Sequence, residues 1–193
     1  MGDLMKTLSA FTLSVLISCA LIPSSASAQE WTTLFDGSSL DGWTALGDAN
    51  WELGEEAVSA NSGSGVLVSD AAYGDFELTL EFWVDEPANS GVFIRCADPQ
   101  RVTDSSCYEV NIFDTRPDQT YRTGGIVNVA APSAVIDAGG QWNTFEITAR
   151  GSHLMVTMNG TQTVDVTDDQ FASGPVGLQY GGGIIRFRNV RIR

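Results

Sequence analysis

Residues 108–114 (YEVNIFD) place a carboxylate and an amide two positions apart in a strand-like segment. Successive side chains of a β-strand point to opposite faces of its sheet, so Glu109 and Asn111 are predicted to lie side by side, opposite the apolar Tyr108 and Val110. A carboxylate can take or give a proton, and an amide beside it can hold a ligand hydroxyl. The alternation therefore predicts a candidate site on an open sheet face.

The preceding strand candidate, residues 91–96 (GVFIRC), adds a cation to the same face. Alternation puts Phe93 and Arg95 on one side of this strand, and hairpin pairing would bring Arg95 close to Glu109. Arginine, carboxylate, amide and aromatic groups on one open face suit a sugar ligand. The alternative is a solvated face with an ordinary cross-strand ion pair, which periodicity alone favours.

The elements that must position these residues are strands, because no window shows a helical stripe of useful length. Segments 76–84, 142–150 and 153–158 alternate most clearly, and Gly151-Ser152 and Asn159-Gly160 are hairpin-turn signals. About a dozen short strands joined by turn-rich loops predict an all-β jelly-roll β-sandwich. Further strand candidates lie near Trp51, near Val66, and at 91–96, 107–113, 125–129, 161–166, 176–180 and 184–192. The longest irregular stretch, 114–138, is typical of a functional loop.

The first 28 residues have the order of a secretion signal: the cation Lys6, an apolar stretch over 7–22, and small residues ending at Ala28. That stretch is too short and too rich in Ser and Thr for a membrane span. We expect cleavage after Ala28, export to the periplasm or the medium, and one domain over residues 29–193. The alternative is a lipoprotein, because LISC resembles a lipoprotein box that would be cut and lipidated at Cys19.

The chain is acidic, with a formal net charge of −14, and Lys6 is its only lysine. Nucleic acids and anionic membranes are bound by clustered Lys and Arg residues that release counterions, so neither is an expected partner. The expected partner is a small-molecule sugar.

Cys96 and Cys107 flank a polar segment with the composition of a hairpin loop. A cysteine pair in an exported chain is typically a disulfide, and no His or further Cys lies nearby to make a metal site. We therefore expect a Cys96–Cys107 bond joining two adjacent strands. No metal site and no cofactor are predicted; a structural Ca²⁺ stays open, although no loop shows the D-x-D-x-D-G spacing.

Eight motifs in order resemble the 3-keto-disaccharide hydrolase family over nearly the whole chain after residue 28. They are TLFDGSSLDGW (33–43), YGDFELTLEF (73–82), NSGVFIR (89–95), YEVNIFD (108–114), TGGIVNV (123–129), GGQWNTFEITARG (139–151), NGTQTVDV (159–166) and GPVGLQYGGGIIRFRNVRIR (174–193). The resemblance implies a concanavalin-like jelly roll. It also implies action on sugars oxidised at C3, by elimination through a 2-hydroxy-glycal followed by hydration.

That chemistry needs a base near C2, a donor for the ketone oxygen and an acid for the leaving group. The hypothesis assigns Glu109 as the base, Arg95 as the cation for the enolate oxygen and Asp114 as the acid. Four further residues are expected to bind substrate: Asn89, Asn111, Tyr121 and Gln179. For Tyr121, covering an edge strand is an equal alternative.

Two other classes of function stay open, because jelly rolls host both enzymes and binding proteins. One is a non-catalytic, lectin-like carbohydrate-binding module, and the other is an adhesive surface domain without a small ligand. Many family members have Asp-His where this chain has Tyr180-Gly181, which favours the binding alternative. Residues Glu109, Asn111 and Asp114 also resemble the E-x-D-x-x-E strand of laminarinase-type glycosidases, with an amide in place of the middle acid.

Overall fold

The computed structural model describes residues 1–2 and 30–193, and these residues are nearly all β. The predicted secretion signal and the lipoprotein alternative at Cys19 lie outside the described residues. Within the described part of the chain, no helix is long and apolar enough to cross a membrane.

Thirteen strands are present in the described residues, together with one 3₁₀ turn at Gln119–Tyr121. In chain order the strands are β1 (Thr32–Phe35), β2 (Trp43–Gly47), β3 (Glu52–Gly54), β4 (Ala57–Ala60), β5 (Gly65–Tyr73), β6 (Phe76–Val84), β7 (Asn89–Ile94), β8 (Tyr108–Ile112), β9 (Trp142–Arg150), β10 (His153–Met158), β11 (Thr161–Thr167), β12 (Gly174–Gly182) and β13 (Ile185–Ile192).

The strands form two antiparallel sheets, as predicted for a jelly-roll sandwich. The larger has the order β11-β10-β9-β6-β13-β4-β3, with β1 paired to β13, and the smaller has the order β2-β5-β12-β7-β8. One hydrophobic core fills the space between them and draws residues from both sheets, including Phe82, Phe145, Val110 and Leu178.

Alternation of apolar and polar residues gave the strand limits most accurately where one face is solvated. Strands β6, β9 and β10 begin and end at the predicted residues, and every second residue of β6 is buried. The hairpin signal between β10 and β11 is also confirmed: Asn159 and Gly160 both have positive φ, at 51° and 77°, as the tight two-residue turn requires.

The strand predicted at 125–129 is wrong. This segment lies along β8, with Asn111 N donating to Gly125 O and Val127 N to Glu109 O, but it turns back on itself at once. Its Asn128 has φ of 63°, and Ala130 N donates to Ile126 O. The segment therefore covers the β8 edge as a turn. The short strands β1, β2 and β4 were not predicted.

Candidate functional site

The candidate site lies on the smaller sheet, on the face turned away from the core. Two rows of residues cross all five strands in register. The first row is Leu46, Val66, Gln179, Gly91 and Asn111, and the second is Thr44, Val68, Gly177, Phe93 and Glu109. The parity predicted for β8 is confirmed, because Tyr108, Val110 and Ile112 belong to the core and Glu109 and Asn111 point to the other face.

Glu109 fits on this face because the neighbouring strand carries glycine. A Cβ added at Gly91 would lie 3.1 Å from Oε1 of Glu109 and 3.2 Å from its Cγ. Any side chain at position 91 would therefore compete with the carboxylate for space. Glu109 is only 8% exposed, so the sequence both buries the carboxylate and leaves room for it.

The carboxylate borders an open cleft of about 470 Å³. The ten residues that line it come from three strands and the loops beside them: Asn89, Asp104, Glu109, Asn111, Phe113, Arg116, Pro117, Asp118, Val127 and Gln179. Of the predicted substrate-binding residues, the structure brings Asn89, Asn111 and Gln179 together with Glu109 here. A cleft of this size with convergent polar groups can hold a sugar.

The electrostatic setting of Glu109 is that of an acid–base group. Burial raises its pKa from the usual value near 4.5 to about 7, and the negative charge of Asp104 acts in the same direction. The positive charge of Arg116 and the side chain of Gln179 act to lower the pKa but do not cancel the shift. A carboxyl group that titrates near neutral pH can both take and return a proton.

The amide groups around Glu109 differ in what they can offer a ligand. Nδ2 of Asn111 donates to Tyr121 O, which fixes the amide against the long loop. Oε1 of Gln179 is buried and has no hydrogen-bond partner within the described part of the chain. Because this oxygen is closed off from solvent, a ligand hydroxyl can reach it only if the amide turns.

Arg95 does not lie beside Glu109, and the predicted pairing of the two side chains is wrong. Strand β7 ends at Ile94, and Arg95 has φ of 53°, which breaks the alternation by one residue. Its side chain is 1% exposed and donates to Gly74 O, Gly151 O and Phe171 O. It also pairs with Asp75, at 3.1 Å.

The same break reverses the expected position of Cys96. Unbroken alternation along β7 would place Cys96 on the core face with Val92 and Ile94, but it packs on the outer side with Phe93 and Cys107. Because Arg95 donates to three backbone carbonyls from separate connections, it is a structural residue that holds the ends of several strands together.

Asp114 also lies outside the cleft that contains Glu109. Its Oδ1 accepts from Thr123 Oγ1, its Oδ2 accepts from the backbone N–H groups of Ala138 and Gly139, and Arg122 lies 3.7 Å away. These contacts tie both ends of the long 114–138 loop to the end of β8. The predicted role of Asp114 as the acid is not compatible with this position.

Tyr121, the fourth predicted substrate-binding residue, does not line the cleft among the described residues. It contributes its carbonyl to Asn111, and its ring centroid lies 6.0 Å from the guanidinium carbon of Arg116. Tyr121 thus supports two residues that do line the cleft.

The disulfide between Cys96 and Cys107 is present, with a Cα–Cα distance of 4.1 Å. It closes a loop, residues 97–106, between the end of β7 and the beginning of β8. The loop is further held by Ala97 N donating to Ser106 O and by Ser106 Oγ donating to Arg101 O. The disulfide thereby places Asp104 at the wall of the cleft.

Removing the disulfide is expected to lower the free energy of unfolding by about 2–4 kcal/mol, because the unfolded chain regains the freedom of the closed loop. The measurement is urea unfolding of the wild type and of a Cys96→Ala/Cys107→Ala double variant. Equal midpoints for the two proteins would contradict a stabilising role.

Sequence reasoning missed Asp104 and Arg116. Both lie in loops, where alternation has no meaning, and both reach Glu109 only because the loops fold back over β8. The disulfide was the one available signal for Asp104, since it predicts that the loop between the cysteines stays close to the two strands.

Solved structures with the same fold include two proposed glycosyl hydrolases from Parabacteroides distasonis. One is 24% identical with a TM-score of 0.73, and covers 86% of this chain and 99% of its own. The other is 17% identical with a TM-score of 0.76, and covers 84% and 93%. The carbohydrate-binding module CBM66 from Bacillus subtilis is 18% identical with a TM-score of 0.60, and covers 77% and 93%. These likenesses define the chain as a jelly-roll domain of the concanavalin type.

The family follows from the sequence itself. Residues 30–193 match the model of the 3-keto-alpha-glucoside-1,2-lyase-like domain, and the chain belongs to this family. No curated protein matches the sequence.

Proposed function

We propose that the protein cleaves 3-keto-glycosides, with Glu109 as the acid–base group. The observation that carries the proposal is a buried carboxyl with a pKa of about 7 at the edge of an open cleft, in a member of this lyase-like family. The resemblance of the fold to proposed glycosyl hydrolases and to a carbohydrate-binding module supports a sugar as the ligand.

The reaction begins at C2, whose proton is acidified by the ketone at C3. The Glu109 carboxylate takes this proton, and the electron pair of the C–H bond moves into an enolate between C2 and C3. The enolate then restores the C3 carbonyl, forms the C1–C2 double bond and breaks the bond from C1 to the glycosidic oxygen. The products are a 2-hydroxy-glycal and, once the leaving oxygen gains a proton, a free alcohol or sugar.

Water then adds across the double bond, with its oxygen bonding to C1 and a proton returning to C2. The sum of the two steps is hydrolysis to a 3-keto-sugar. Glu109 becomes neutral when it takes the first proton and then gives this proton to the leaving oxygen, so the proton that later bonds to C2 comes from the water that adds. A pKa near 7 suits both directions of transfer.

Arg116 is our candidate for stabilising the enolate oxygen, in place of Arg95. It lines the same cleft as Glu109, and its charge already acts on the carboxyl group. A fixed cation at the position where negative charge develops is a strong source of rate enhancement. Asn89 and Gln179 line the same cleft and are our candidates for holding sugar hydroxyls.

The pH dependence of kcat/KM should follow the ionisation of Glu109. The base must be ionised in the free enzyme, so kcat/KM is expected to rise about tenfold per pH unit below pH 7 and to level off above it. Asp104→Asn should move the inflection to lower pH, because the charge of Asp104 raises the pKa of Glu109. A profile that is flat between pH 5 and 9 would contradict this assignment.

The proposal is tested by incubating the protein with 3-keto-trehalose and 3-keto-sucrose beside unoxidised trehalose and sucrose. Release of free sugar from the oxidised substrates alone is the expected result. Binding of these sugars without any cleavage would instead support the lectin-like alternative. Cleavage of the unoxidised sugars would contradict a mechanism that depends on the ketone at C3.

A further inference from the structure

The outer face of the larger sheet carries a cluster of arginines that the proposed function does not use. Five of the nine arginines of the chain lie on this face: Arg150 on β9, Arg186, Arg188 and Arg191 on β13, and Arg193 directly after β13. We call Arg186, Arg188, Arg191 and Arg193 the arginine row. Because the whole chain has a formal net charge of −14, this face concentrates its few cations.

A bulge in β13 keeps the arginine row on one face. The register with β6 shifts between Arg188 and Arg191, and Asn189 has φ of 53°. Val190 therefore enters the core, and Arg191 returns to the outer face beside Arg188. The arginine row runs along most of β13, a length of roughly 20 Å.

Each guanidinium of the arginine row lies against a tryptophan ring. The distances from guanidinium carbon to ring centroid are 5.3 Å for Arg186 and Trp83, 3.9 Å for Arg188 and Trp142, 5.8 Å for Arg191 and Trp31, and 4.6 Å for Arg193 and Trp31. Stacking on an indole restrains a guanidinium, while its N–H groups, which lie in the guanidinium plane, can still donate. The arginine row is therefore a set of positioned donors.

The carboxylates of this face do not neutralise all of its arginines. Glu77 pairs with both Arg150 and Arg193, so two cations share one carboxylate. Arg191 is exposed and makes no ion pair within the described part of the chain. Because exposed ion pairs contribute little, a ligand carboxylate can share guanidiniums that already have a partner.

Two clefts lie along the arginine row, one towards each end. The first has a volume of about 380 Å³ and is lined by Trp142 and the first two arginines of the row. The second has a volume of about 320 Å³ and is lined by Trp31 and the last two arginines, together with Glu77 and Glu146. Each cleft thus offers an aromatic surface beside two cations.

We infer that the arginine row binds a linear acidic polysaccharide, with sugar carboxylates on the guanidiniums and sugar rings against the tryptophans. Arginine binds carboxylates through two parallel N–H donors. An indole ring offers an apolar surface for the carbon face of a sugar, and Trp31 remains 39% exposed beside its two arginines. A chain of uronic acids repeats both groups along its length, as the row repeats their partners.

This site is separate from the cleft that holds Glu109, which lies on the smaller sheet. Several weak contacts along one polymer add up to a useful affinity, because binding of the first sugar unit holds the next one nearby. The row would therefore attach the protein to an acidic polymer while the Glu109 cleft stays free for its substrate.

The test is isothermal titration calorimetry with polygalacturonate, a linear polyuronate, beside the neutral polymer dextran. Binding of polygalacturonate alone is the expected result. Raising NaCl from about 20 mM to about 300 mM should weaken that binding, because salt screens exposed ion pairs.

Arg191→Ala should lower the affinity for polygalacturonate about threefold, and Arg186→Ala/Arg191→Ala about tenfold, since each change removes one exposed ion pair with the polymer. The fold should not depend on these residues, because Arg191 is unpaired in the described part of the chain and the Glu55 partner of Arg186 is 87% exposed. Arg101→Ala removes an exposed arginine from the disulfide-closed loop and is the matched control, expected to change the affinity less than about twofold.

All these variants should cleave 3-keto-trehalose at the wild-type rate, so the inference stands or fails apart from the proposed function. Absence of wild-type binding to polygalacturonate, or equal losses in Arg101→Ala and Arg191→Ala, overturns it. Equal affinity for dextran would show a site for neutral sugars, and equal affinity for a DNA duplex would show a surface for any polyanion. Either result overturns the assignment to acidic polysaccharides.

Discussion

Glu109→Gln is expected to lower kcat/KM for 3-keto-trehalose by about 10²–10⁴-fold, the usual cost of losing a positioned proton-transfer group. Glutamine keeps the size of the side chain and fits over Gly91 in the same way, so the cleft should stay intact. The measurement is initial rates at pH 8, where the wild-type carboxyl is ionised. Full activity of the variant would show that Glu109 is not the proton-transfer group.

Glu146→Gln is the matched control for this substitution. Glu146 is an exposed glutamate on β9 of the larger sheet, and the same change from carboxylate to amide there should leave kcat/KM within about twofold, since exposed positions away from a site rarely matter. A comparable loss in both variants would point to a general effect of charge rather than to proton transfer.

Glu109→Gln should also change how stability depends on pH. The folded pKa of Glu109, about 7, lies above its usual value near 4.5, so between these pH values the folded state binds the proton more strongly than the unfolded state. The carboxyl group therefore costs the wild type stability as pH rises from about 4.5 to about 7. The melting temperature of the variant relative to wild type should rise over that interval, and a constant difference would contradict the raised pKa.

Arg95→Ala is expected to lower the free energy of unfolding by about 3 kcal/mol or more, because a buried acceptor left unpaired costs about 1–3 kcal/mol and Arg95 serves three backbone carbonyls. Those carbonyls belong to Gly74, Gly151 and Phe171, which lie in three separate connections of the chain. The measurement is urea unfolding at 25 °C. The folded fraction should cleave 3-keto-trehalose at the wild-type rate.

Arg150→Ala tests whether this loss is specific to the buried arginine. Arg150 is two-thirds exposed and pairs with Glu77, so its removal should cost less than about 1 kcal/mol. An Arg95→Ala protein with wild-type stability and lost activity would contradict the structural role and indicate that Arg95 acts in the reaction.

The difference between the predicted and the observed role of Arg95 shows where strand periodicity fails. Alternation described β6, β8 and β9 correctly because each is regular along its length. At the end of β7 one residue with positive φ shifts the alternation, and Arg95 and Cys96 exchange sides. The residue with positive φ is Arg95, and an arginine gives no sign of this conformation in the sequence. A glycine or an asparagine at this position would have indicated it.

The loops are the second part of the structure that the sequence did not predict. The disulfide followed from cysteine spacing, and Glu109 and Asn111 followed from strand parity. Asp104 and Arg116 reach the cleft through the folding of two irregular segments, which no local pattern describes. The raised pKa of Glu109 also depends on the Asp104 contact and on burial, so it appears only in the folded protein.

Solvent deuterium at C2 of the product is the most direct test of proton abstraction by Glu109. The protein is incubated with 3-keto-trehalose in D₂O, and early product is followed by proton NMR against samples without enzyme and with the Glu109→Gln variant. Elimination followed by hydration predicts one deuterium at C2 of the released 3-keto-glucose and a transient 2-hydroxy-glycal signal. Cleavage that leaves the original hydrogen at C2 would contradict the account.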